Sequence, residues 1–597
     1  MTEIPVGYRR LEGSERHARR GARLVGTADA NEKLSVSIRV RRQPGAPALP
    51  DQEYWVKTPV GKRKFLSRAE FAARYGAAQT DLDRVAEFAR SHQLSIREMS
   101  VSRRLVIVSG TVAQVSRAFS VELGRYESPT ETYRGREGYI YVPNEIADIV
   151  EGVFGLDNRK MAQRASNGGP PGAVPLTPPQ VAGLYNFPPG KQPGGAAGQT
   201  IGILEFGGGF DIKDINAFCK GLGLPKPSVQ PVSVDSVTTT LSGLSDASSA
   251  DPEEIEVALD VEVAASVAVG ANIAVYFVAD KSDQSWIGIL TQAISGEGLP
   301  QGWAPPSVLS CSWGWPELLS PSEAPGIPFE WTQQAITLVT ESFSEAAMKG
   351  ITVFVSCGDM GSDAGVGDGA AHVQYPSSDP WVTACGGTEI TGISPLQEET
   401  WNDAMYPPYT GATGGGISDF FSVPSWQAGI VPNSVNPPGT RQGRGVPDVA
   451  GNASSYSGYV LSIYGKQTTE VYVNGTLVGP SGAYGGTSAV APLYAALVAL
   501  INAQLGFSVG YLNPTLYTIG QIPGQTVIRD INDGLSNGFN GVRGYTSAKG
   551  WDACTGWGVV NGSALLEEIV AVAVSQNPGC VAALQAFAKA VLKALGM

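Results

Sequence analysis

The turn Gly486-Thr487-Ser488 places a serine hydroxyl directly before an apolar run, 493–505, that is typical of a buried helix. Backbone N–H groups at the start of a helix and its positive dipole end favour an anion that develops there. Pro492 falls in the first turn of this predicted helix, where a proline costs no hydrogen bond. Ser488 is therefore a candidate nucleophile, although the Gly-Thr-Ser pattern alone is weak evidence for one.

A serine hydroxyl needs a neighbouring base before it can attack. The 597-residue chain contains three histidines, and two of them, His17 and His92, lie in an N-terminal region that the sequence predicts to be a separate domain. The base for Ser488 is therefore either His372 or a carboxylate. A carboxylate has the right basicity at acid rather than neutral pH.

The strongest acidic pair is Glu256 and Asp260, which are four residues apart in the stretch 252–263. On a helix, that spacing puts both carboxylates on one face, about one turn apart. The surrounding residues are mostly Ile, Val, Leu and Ala, so the predicted helix is largely buried. Two carboxylates in a low-dielectric site cannot both ionise easily, and their pKa values separate. The pair is either an acid–base dyad or part of a solvated helix face. The second interpretation suits Glu253 and Glu254 better than it suits Glu256 and Asp260.

A third acid, Asp359, follows the β-branched run 351–356 in a Gly-Asp-Met-Gly sequence. Such a run predicts a buried parallel strand, and open α/β sheets bind their ligands at the carboxyl ends of the strands. An aspartate at a strand end is also a common turn former. The sequence therefore leaves Asp359 with two interpretations, a site residue and a turn residue.

These stretches, taken together and in this order, resemble the sedolisin (serine-carboxyl peptidase) family, most closely its kumamolisin branch. The resemblance runs from about residue 174 to about residue 566, with a matching propeptide before it. The matching sequences are Ile203-Leu204-Glu205-Phe206-Gly207-Gly208-Gly209, the 252–263 helix, Ser310-Cys311-Ser312-Trp313-Gly314, Gly358-Asp359, Cys385-Gly386-Gly387-Thr388, Gly411-Ala412-Thr413-Gly414-Gly415-Gly416, Val446-Pro447-Asp448-Val449-Ala450-Gly451-Asn452, Gly486-Thr487-Ser488 and Gly550-Trp551-Asp552.

The resemblance implies a role for each matching position. Ser488 would be the nucleophile, Glu256 the general base, and Asp260 the residue that orients Glu256. Asp359 would take the place of the oxyanion-hole amide of ordinary subtilisins, and it must be protonated to donate, with the Ser488 N–H as the second donor. The implied supporting network is Glu205 and Trp313, and the implied substrate-binding residues are Ser312 and Gly314.

The implied chemistry is peptide hydrolysis through an acyl-enzyme. It requires a neutral Asp359 beside an ionised Glu256, so activity is expected at acid pH. His372, the rival base, is expected to pack in the loop that leads to Tyr375-Pro376. The alternative from another class is a binding or scaffold protein that keeps this fold without catalysis.

A metal site is predicted in the C-terminal segment, where Asp530 and Asp552 flank a Gly- and Asn-rich loop. Oxygen ligands on loops suit calcium, whereas zinc would require His or Cys. The resemblance implies one structural Ca²⁺ site made by these two carboxylates and the backbone carbonyls of Ile531, Ala548 and Gly550.

The two parts of the chain carry opposite charge. Residues 1–170 contain 28 Lys and Arg and 20 Asp and Glu, whereas the remaining residues contain 14 and 35. This asymmetry predicts two folding units that attract each other, and acid would weaken the attraction by neutralising carboxylates. The basic residues are scattered, with no aromatic residues interleaved, which argues against nucleic-acid binding.

The predicted organisation is a propeptide over 1–158, a linker with self-cleavage over 159–174, a catalytic domain over 175–575 and an amphipathic C-terminal extension over 576–597. The resemblance makes the propeptide a small ferredoxin-like α+β domain. Its predicted strands are 34–41 and 105–108, and its predicted helices begin at Ser67 and cover 80–90 and 112–119.

The catalytic part alternates short β-branched runs with helices, which predicts an α/β fold. We expect a mostly parallel, subtilisin-like sheet with helices on both faces. The predicted strands are 200–204, 273–277, 308–312 and 351–356. The six cysteines have no Cys-x-x-Cys spacing, and several lie in apolar strands, so buried free thiols are expected.

Residues 1–23 are polar and Arg-rich, without the apolar core of a signal peptide, and no run of about 18 apolar residues predicts a membrane span. An acid-active peptidase is nevertheless expected outside the cell, by an export route that the sequence leaves open. Its expected partners are peptide or protein substrates and its own propeptide in cis, with no nucleic acid and no membrane.

Overall fold

The structure is a computed structural model. It describes residues 4–575 except 20, 130, 165–166, 169–174, 190–194, 235–251, 318–330, 405–410, 464–465, 468–471, 474–475 and 478–482. The amphipathic helix predicted over 576–597 lies outside the described residues.

The N-terminal domain is built on a four-stranded antiparallel sheet. Its strands are β1 (Lys33–Val40), β2 (Ser95–Ser100), β3 (Leu105–Thr111) and β4 (Val150–Phe154), and its helices are α1 (Gln52–Lys57), α2 (Arg68–Tyr75), α3 (Gln79–Ser91) and α4 (Val112–Phe119). The strand order β2-β3-β1-β4, with helices in the crossovers, is the predicted ferredoxin-like arrangement. Ser67 and Thr111 each close a capping box, which explains why α2 and α4 begin where the sequence predicts.

The larger domain is built on an eight-stranded sheet that is parallel except at one edge. Its strands are β5 (Thr200–Glu205), β6 (Ser228–Ser233), β7 (Asn272–Phe277), β8 (Val308–Cys311), β9 (Thr352–Ser356), β10 (Thr383–Ile393), β11 (Leu396–Thr400) and β12 (Val449–Asn452). Their order is β6-β7-β5-β8-β9-β10-β11, β12 also pairs with β10, and only β10 and β11 run antiparallel. The predicted subtilisin-like parallel sheet is confirmed.

Helices cover both faces of this sheet. They are α5 (Pro178–Leu184), α6 (Ile212–Gly221), α7 (Pro252–Val267), α8 (Asp283–Ser295), α9 (Gln333–Met348), α10 (Val490–Leu505), α11 (Asn513–Gly520) and α12 (Gly562–Ser575). Ile203 and Leu204 of β5 point to opposite faces, so the first packs with α7 and α10 and the second with α8 and α9. The stretch Thr487–Leu505 has the length and the mean hydropathy, 1.6, of a membrane span, yet 83% of its apolar window is buried in the protein core.

The shorter strands of the described residues lie in connections and small sheets. They are Tyr8–Arg10, Arg23–Thr27, Gly124–Glu127, Thr132–Gly135, Tyr141–Pro143, Gln163–Arg164, Asn167–Gly168, Trp313–Pro316, Gln374–Tyr375, Gly416–Ile417, Gly445–Val446, Tyr459–Val460, Ser462–Ile463, Lys466–Gln467, Tyr472–Val473, Thr476–Leu477, Ala483–Gly485, Ile528–Arg529 and Val559–Val560.

Five of the six cysteines lie in the described part of the chain. They are Cys219, Cys311, Cys357, Cys385 and Cys554, and all are buried free thiols, as predicted. Cys580 lies outside the described residues.

The carboxyl ends of the parallel strands carry several of the predicted site residues. Glu205 is the last residue of β5, Ser312 follows β8 directly, and Asp359 lies three residues beyond the end of β9. Because these strands are parallel neighbours, the three residues lie along one edge of the sheet.

The two domains meet through buried and half-buried ion pairs of the predicted sign. Arg39 and Arg42 of the N-terminal domain contact Glu345 on α9 at 3.3 and 2.9 Å. Arg42 also contacts Glu341 at 2.6 Å, and Arg104 pairs with the same carboxylate. Burial alone would raise the pKa of Glu345, but Lys349 and the three arginines lower it to about 2. This carboxylate therefore stays charged in the assembled chain down to strongly acid pH.

The substitution Glu345→Gln is expected to destabilise the uncut Ser488→Ala chain by about 3–5 kcal/mol near neutral pH, because buried guanidinium groups lose their carboxylate. A carboxylate whose pKa is lowered on folding contributes stability above its ordinary pKa of 4.5, and that contribution is lost as the pH falls towards about 2. The difference between the two chains should therefore shrink from pH 7 to pH 3, as measured by urea unfolding. Glu127→Gln, which removes an exposed partner of Arg23 within the N-terminal domain, is the control and should change little. Equal losses for Glu345→Gln at the two pH values would contradict this account.

Candidate active site

Ser488 lies at the amino end of α10, in the short turn Thr487–Ala489. The turn follows Gly486, whose φ of +116° is one that residues with side chains rarely adopt. The Ser488 hydroxyl donates a hydrogen bond to Oε1 of Glu256 on α7. Both side chains are fully buried. The fold thus joins the predicted nucleophile to the predicted base across 232 positions of sequence.

Two further carboxyl groups lie behind Glu256. Asp260, one helical turn along α7, accepts a hydrogen bond from the Ser312 hydroxyl at 2.9 Å, and that hydroxyl lies 3.2 Å from the Ser488 carbonyl oxygen. Glu205 accepts a hydrogen bond from Nε1 of Trp313 at 2.9 Å. The structure therefore brings the predicted supporting network and Ser312 to the same place as the acid pair.

The burial of these acids sets their charges. Burial, and after it the carboxylates of Glu205 and Glu256, raise the pKa of Asp260 well above its ordinary value. Burial and Glu256 do the same to the pKa of Glu205. Three carboxyl groups away from water cannot all ionise. If Asp260 and Glu205 hold their protons, the negative charge stays on Glu256, the group that accepts the serine proton.

Asp359 is held against the residue that precedes the nucleophile. Its Oδ1 accepts hydrogen bonds from the Thr487 N–H at 2.8 Å and from the Thr487 hydroxyl at 2.9 Å. The Gly358 N–H donates in turn to that hydroxyl at 3.0 Å. Burial raises the pKa of Asp359 to about 7, although the bonds from Thr487 act in the opposite direction. At acid pH this carboxyl is therefore neutral and able to donate a hydrogen bond.

The linker between the two domains runs along both walls of the site. Strand Gln163–Arg164 pairs antiparallel with Trp313–Pro316, with Gln163 opposite Gly314 and Arg164 opposite Trp313. Strand Asn167–Gly168 pairs antiparallel with Ala483–Gly485, the strand that ends just before Gly486. An extended chain that pairs with both walls is the way a peptide substrate binds by strand addition. Gly314, predicted to bind substrate, therefore lies on one wall of the site opposite the linker.

His372 lies away from this site. Its Nε2 contacts Asp368 at 3.0 Å, and its Nδ1 lies 3.8 Å from Asp419. Burial would lower the pKa of His372, but these two aspartates outweigh it and raise the pKa. It packs just before Gln374–Tyr375, as the sequence predicts, and the serine hydroxyl is directed to Glu256 instead.

Three features of this region were not predicted from the sequence: the hydrogen bonds of Thr487, the contacts of Lys281 and the burial of Glu254. Thr487 holds Asp359 through two hydrogen bonds, and its place in the Gly-Thr-Ser turn was the available signal. Lys281 lies 4.8 Å above the ring of Trp313 and pairs with Glu253, which the sequence assigned to solvent. Glu254, also expected in solvent, is 7% exposed, so that expectation is wrong. The reason is that α7 is packed on nearly every side, so it has no solvated face.

The predicted calcium residues also lie together. The Asp552 carboxylate accepts backbone N–H bonds from Ala548, Cys554 and Thr555 at 2.8–3.1 Å, and burial raises the pKa of Asp552 to about 6. Asp530 accepts the Gly550 N–H at 3.1 Å through Oδ2.

The donor set around these aspartates fits a hard cation. Oδ1 of Asp530 is buried with no hydrogen-bond partner among the described residues. The Ile531 carbonyl lies 3.5 Å from the Thr555 hydroxyl, which also contacts Asp552. Across the described ranges no group of three or more His, Cys, Asp or Glu side chains could hold a metal, so a site here needs backbone carbonyls as well. Carboxylates and carbonyls are the ligands calcium prefers.

Comparison with known proteins relates the N-terminal domain to one family. Residues 20–159 match the family model described as Pro-kumamolisin, activation domain. Kumamolisin of Bacillus sp. (strain MN-32) is 38% identical over 550 residues, which cover 89% of this chain and 91% of that protein. Tripeptidyl-peptidase sed5 of Aspergillus fumigatus is 30% identical over 572 residues, 88% of this chain and 90% of that protein.

A solved structure agrees with these sequence matches. Pseudomonas sedolisin, described as a serine-carboxyl proteinase complexed with two molecules of pseudo-iodotyrostatin, superposes with a TM-score of 0.51 at 26% identity. The superposition covers 67% of this chain and 99% of that one. Sequence identity along almost the whole chain, an activation domain and a matching fold lead to one conclusion: the chain belongs to the sedolisin family of serine-carboxyl peptidases and is an enzyme that carries its own propeptide domain.

Proposed function

We propose that this enzyme is an acid-active serine-carboxyl endopeptidase made as a self-processing zymogen. The observation that carries the proposal is the hydrogen bond from the Ser488 hydroxyl to Glu256, in a buried site beside the linker. A buried carboxylate that accepts the hydroxyl proton is a general base in position to activate that serine.

The mechanism follows from these contacts. Glu256 takes the proton of Ser488 as the hydroxyl oxygen attacks a peptide carbonyl, and it returns the proton to the leaving amine. Water then attacks the acyl-enzyme with the same base, and Ser488 is regenerated. Asp260 orients Glu256 as its neighbour on α7, and it is itself held by the Ser312 hydroxyl. Glu205 and Trp313 extend this support by one more hydrogen bond.

The oxyanion that forms during attack needs donors. The Ser488 N–H at the amino end of α10 is one, and the protonated carboxyl of Asp359 is the other. The pKa of Asp359 is about 7, so the donating form is present below that value and is lost as the pH rises through it. Glu256 must be ionised at the same time, which confines good activity to the acid side of neutrality.

The path of the linker supports both self-processing and endopeptidase activity. Arg164 pairs with one wall of the site and Asn167 with the other, so the bond expected to be cut lies between these two residues. The linker enters as the interior of a continuous chain, with polypeptide before Gln163 and after Gly168. A cleft that accepts such a chain suits an endopeptidase, whereas an enzyme that removes short peptides from a chain end needs one closed side.

We also propose that Asp530 and Asp552, with the carbonyls of Ile531, Ala548 and Gly550, hold one structural Ca²⁺. The ion would neutralise two partly buried carboxylates and fix the 530–552 loop. Since an acid-active peptidase meets acid outside the cytoplasm, we propose that the enzyme acts outside the cell on peptide and protein substrates.

The substitution Ser488→Ala should abolish self-cleavage. At about pH 4 the wild-type chain is expected to shorten to a mature enzyme whose first residue is 165, 166 or 167, because the cut falls between the two wall-paired strands. Mass spectrometry and N-terminal sequencing measure both outcomes. His372→Ala is the control and should still be processed, because His372 does not contact the site. A Ser488→Ala chain that is cut at the wild-type rate would overturn the proposal.

The pH profile of kcat/KM should peak well below neutrality and fall as the pH rises through about 7. Asp359→Ala should lower kcat by about 10²–10³-fold, the usual cost of one oxyanion donor. Asp359→Asn keeps a hydrogen-bond donor at every pH. The fall in kcat/KM above pH 7 should therefore disappear in this variant or move to higher pH. Asp363→Asn, which changes another buried acid of the same loop, is the control and should leave the profile unchanged. A wild-type optimum near pH 8 would exclude this mechanism.

Removal of calcium by a chelator should lower the Tm of the Ser488→Ala chain, and added Ca²⁺ should restore it, because the ion binds only the folded loop. With Asp530→Asn added, this chain should have a lower Tm than the parent in the absence of chelator, and chelator should change that Tm little. Differential scanning calorimetry measures both. If the Tm of the parent chain does not respond to chelator, the proposed calcium site is wrong.

A further inference from the structure

The segment Asp51–Leu66 of the propeptide lies on the catalytic domain far from the active site. We call it the anchor segment. Its last residue, Leu66, donates its N–H to the Met348 carbonyl at 2.9 Å, at the end of α9 and before β9 begins. Asp359 lies beyond the other end of β9, so the two places are separated by a five-residue strand, about 17 Å. The propeptide therefore contacts both the cleft edge and the opposite edge of the sheet.

A buried tryptophan forms the centre of this contact. Trp55 on α1 is 1% exposed and belongs to the same core cluster as α10 and α11. Its ring lies 6.5 Å from that of Tyr511 in an edge-on arrangement and 6.1 Å from that of Phe65 in a stacked one. A buried aromatic anchor surrounded by aromatic rings is the type of residue that dominates binding at interfaces.

Arg63 fixes the anchor segment to the backbone of the catalytic domain. Its Nη1 donates to the carbonyl oxygens of Val509 at 3.0 Å and Tyr511 at 2.6 Å, and its Nε donates to Thr58 within the segment at 3.1 Å. The guanidinium also lies 5.7 Å from the ring of Trp55. Hydrogen bonds from a buried charged donor are worth more than ordinary ones and set the register of the segment.

The catalytic domain leaves room for this segment by using glycines. A Cβ at Gly350 would lie 2.8 Å from the ring of Phe65, and one at Gly510 would lie 2.6 Å from it. On the propeptide side, a Cβ at Gly61 would lie 2.8 Å from Cβ of Ala573 on α12. The close approach of the anchor segment to the catalytic domain therefore depends on glycines, which have no side chain, in both of them.

We infer that this surface is a second propeptide-binding site, which holds the cut propeptide on the peptidase after the linker has been cleaved. The inference rests on the proposed self-processing. Cleavage between Arg164 and Asn167 breaks the covalent link but touches none of the anchor contacts. Cutting and release are therefore separate steps, and the anchor segment controls the second.

The test follows the two steps separately in the full-length chain at pH 4. Gel analysis measures the rate of cutting, and a fluorogenic peptide measures the appearance of free enzyme. In Trp55→Ala the interval between cutting and full activity should shorten at least about tenfold, because the dissociation rate carries most of an affinity change. The rate of cutting should change less than about twofold. The kcat/KM of the mature enzyme should be unchanged, since Trp55 is not part of it.

Val56→Ala is the matched control, because Val56 is a neighbouring residue of α1 that is 40% exposed. It should behave like the wild type. A folded Trp55→Ala chain that releases activity at the wild-type rate after cutting would overturn the inference. If Trp55→Ala does not fold, Trp55→Phe and Phe65→Leu replace it. Each should shorten the interval between cutting and full activity about threefold. An unchanged interval in both variants would overturn the inference.

A second measurement does not depend on self-cleavage. Amide hydrogen exchange of residues 509–520 is followed in the uncut Ser488→Ala chain, with and without Trp55→Ala. Exchange there should rise at least about tenfold when the tryptophan is lost and stay unchanged with Val56→Ala. Absence of cutting in every chain would refute the proposed function alone, whereas unchanged exchange would refute the anchor alone.

Discussion

The structure depends on one electrostatic constraint, the burial of several carboxyl groups around a single serine hydroxyl. Glu205, Glu256 and Asp260 are all fully removed from solvent, so the free energy of ionising all three together is prohibitive. Burial raises the pKa of Glu205 and that of Asp260, which supports the proposal that Glu256 is the base. A glutamate can replace histidine in this role only where water is excluded and the ambient pH is low.

The fold supplies that exclusion through α7. This helix is buried along nearly its whole length between α5, α6 and α10, so its two site carboxyls cannot reach solvent. An amphipathic helix would have let them hydrate and ionise independently. The near absence of a polar face on α7 thus suits the proposed chemistry, and it also explains why Glu254 is buried.

The propeptide contacts the catalytic domain at both the carboxyl and the amino ends of the parallel strands. At the carboxyl edge its linker pairs with Trp313–Pro316 and with Ala483–Gly485, the strand that ends shortly before Ser488. At the amino edge the anchor segment packs through Trp55 and Arg63, and between them Glu345 joins the domains through charge. These contacts differ in kind. The proposed cleavage would break the linker contact, the ionic contact weakens in strong acid, and the apolar contact depends on neither.

Much of this protein could be predicted from its sequence, because local rules act over short distances. The capping box at Ser67, the β-branched strands and the four-residue spacing of Glu256 and Asp260 each fix a local structure, and the ordered motifs indicated the family. Only the tertiary structure decided which acids have a raised pKa, that Thr487 holds Asp359, and that Trp55 enters the catalytic core. Charge state and packing are set by desolvation and by contacts between residues hundreds of positions apart, and no local pattern records them.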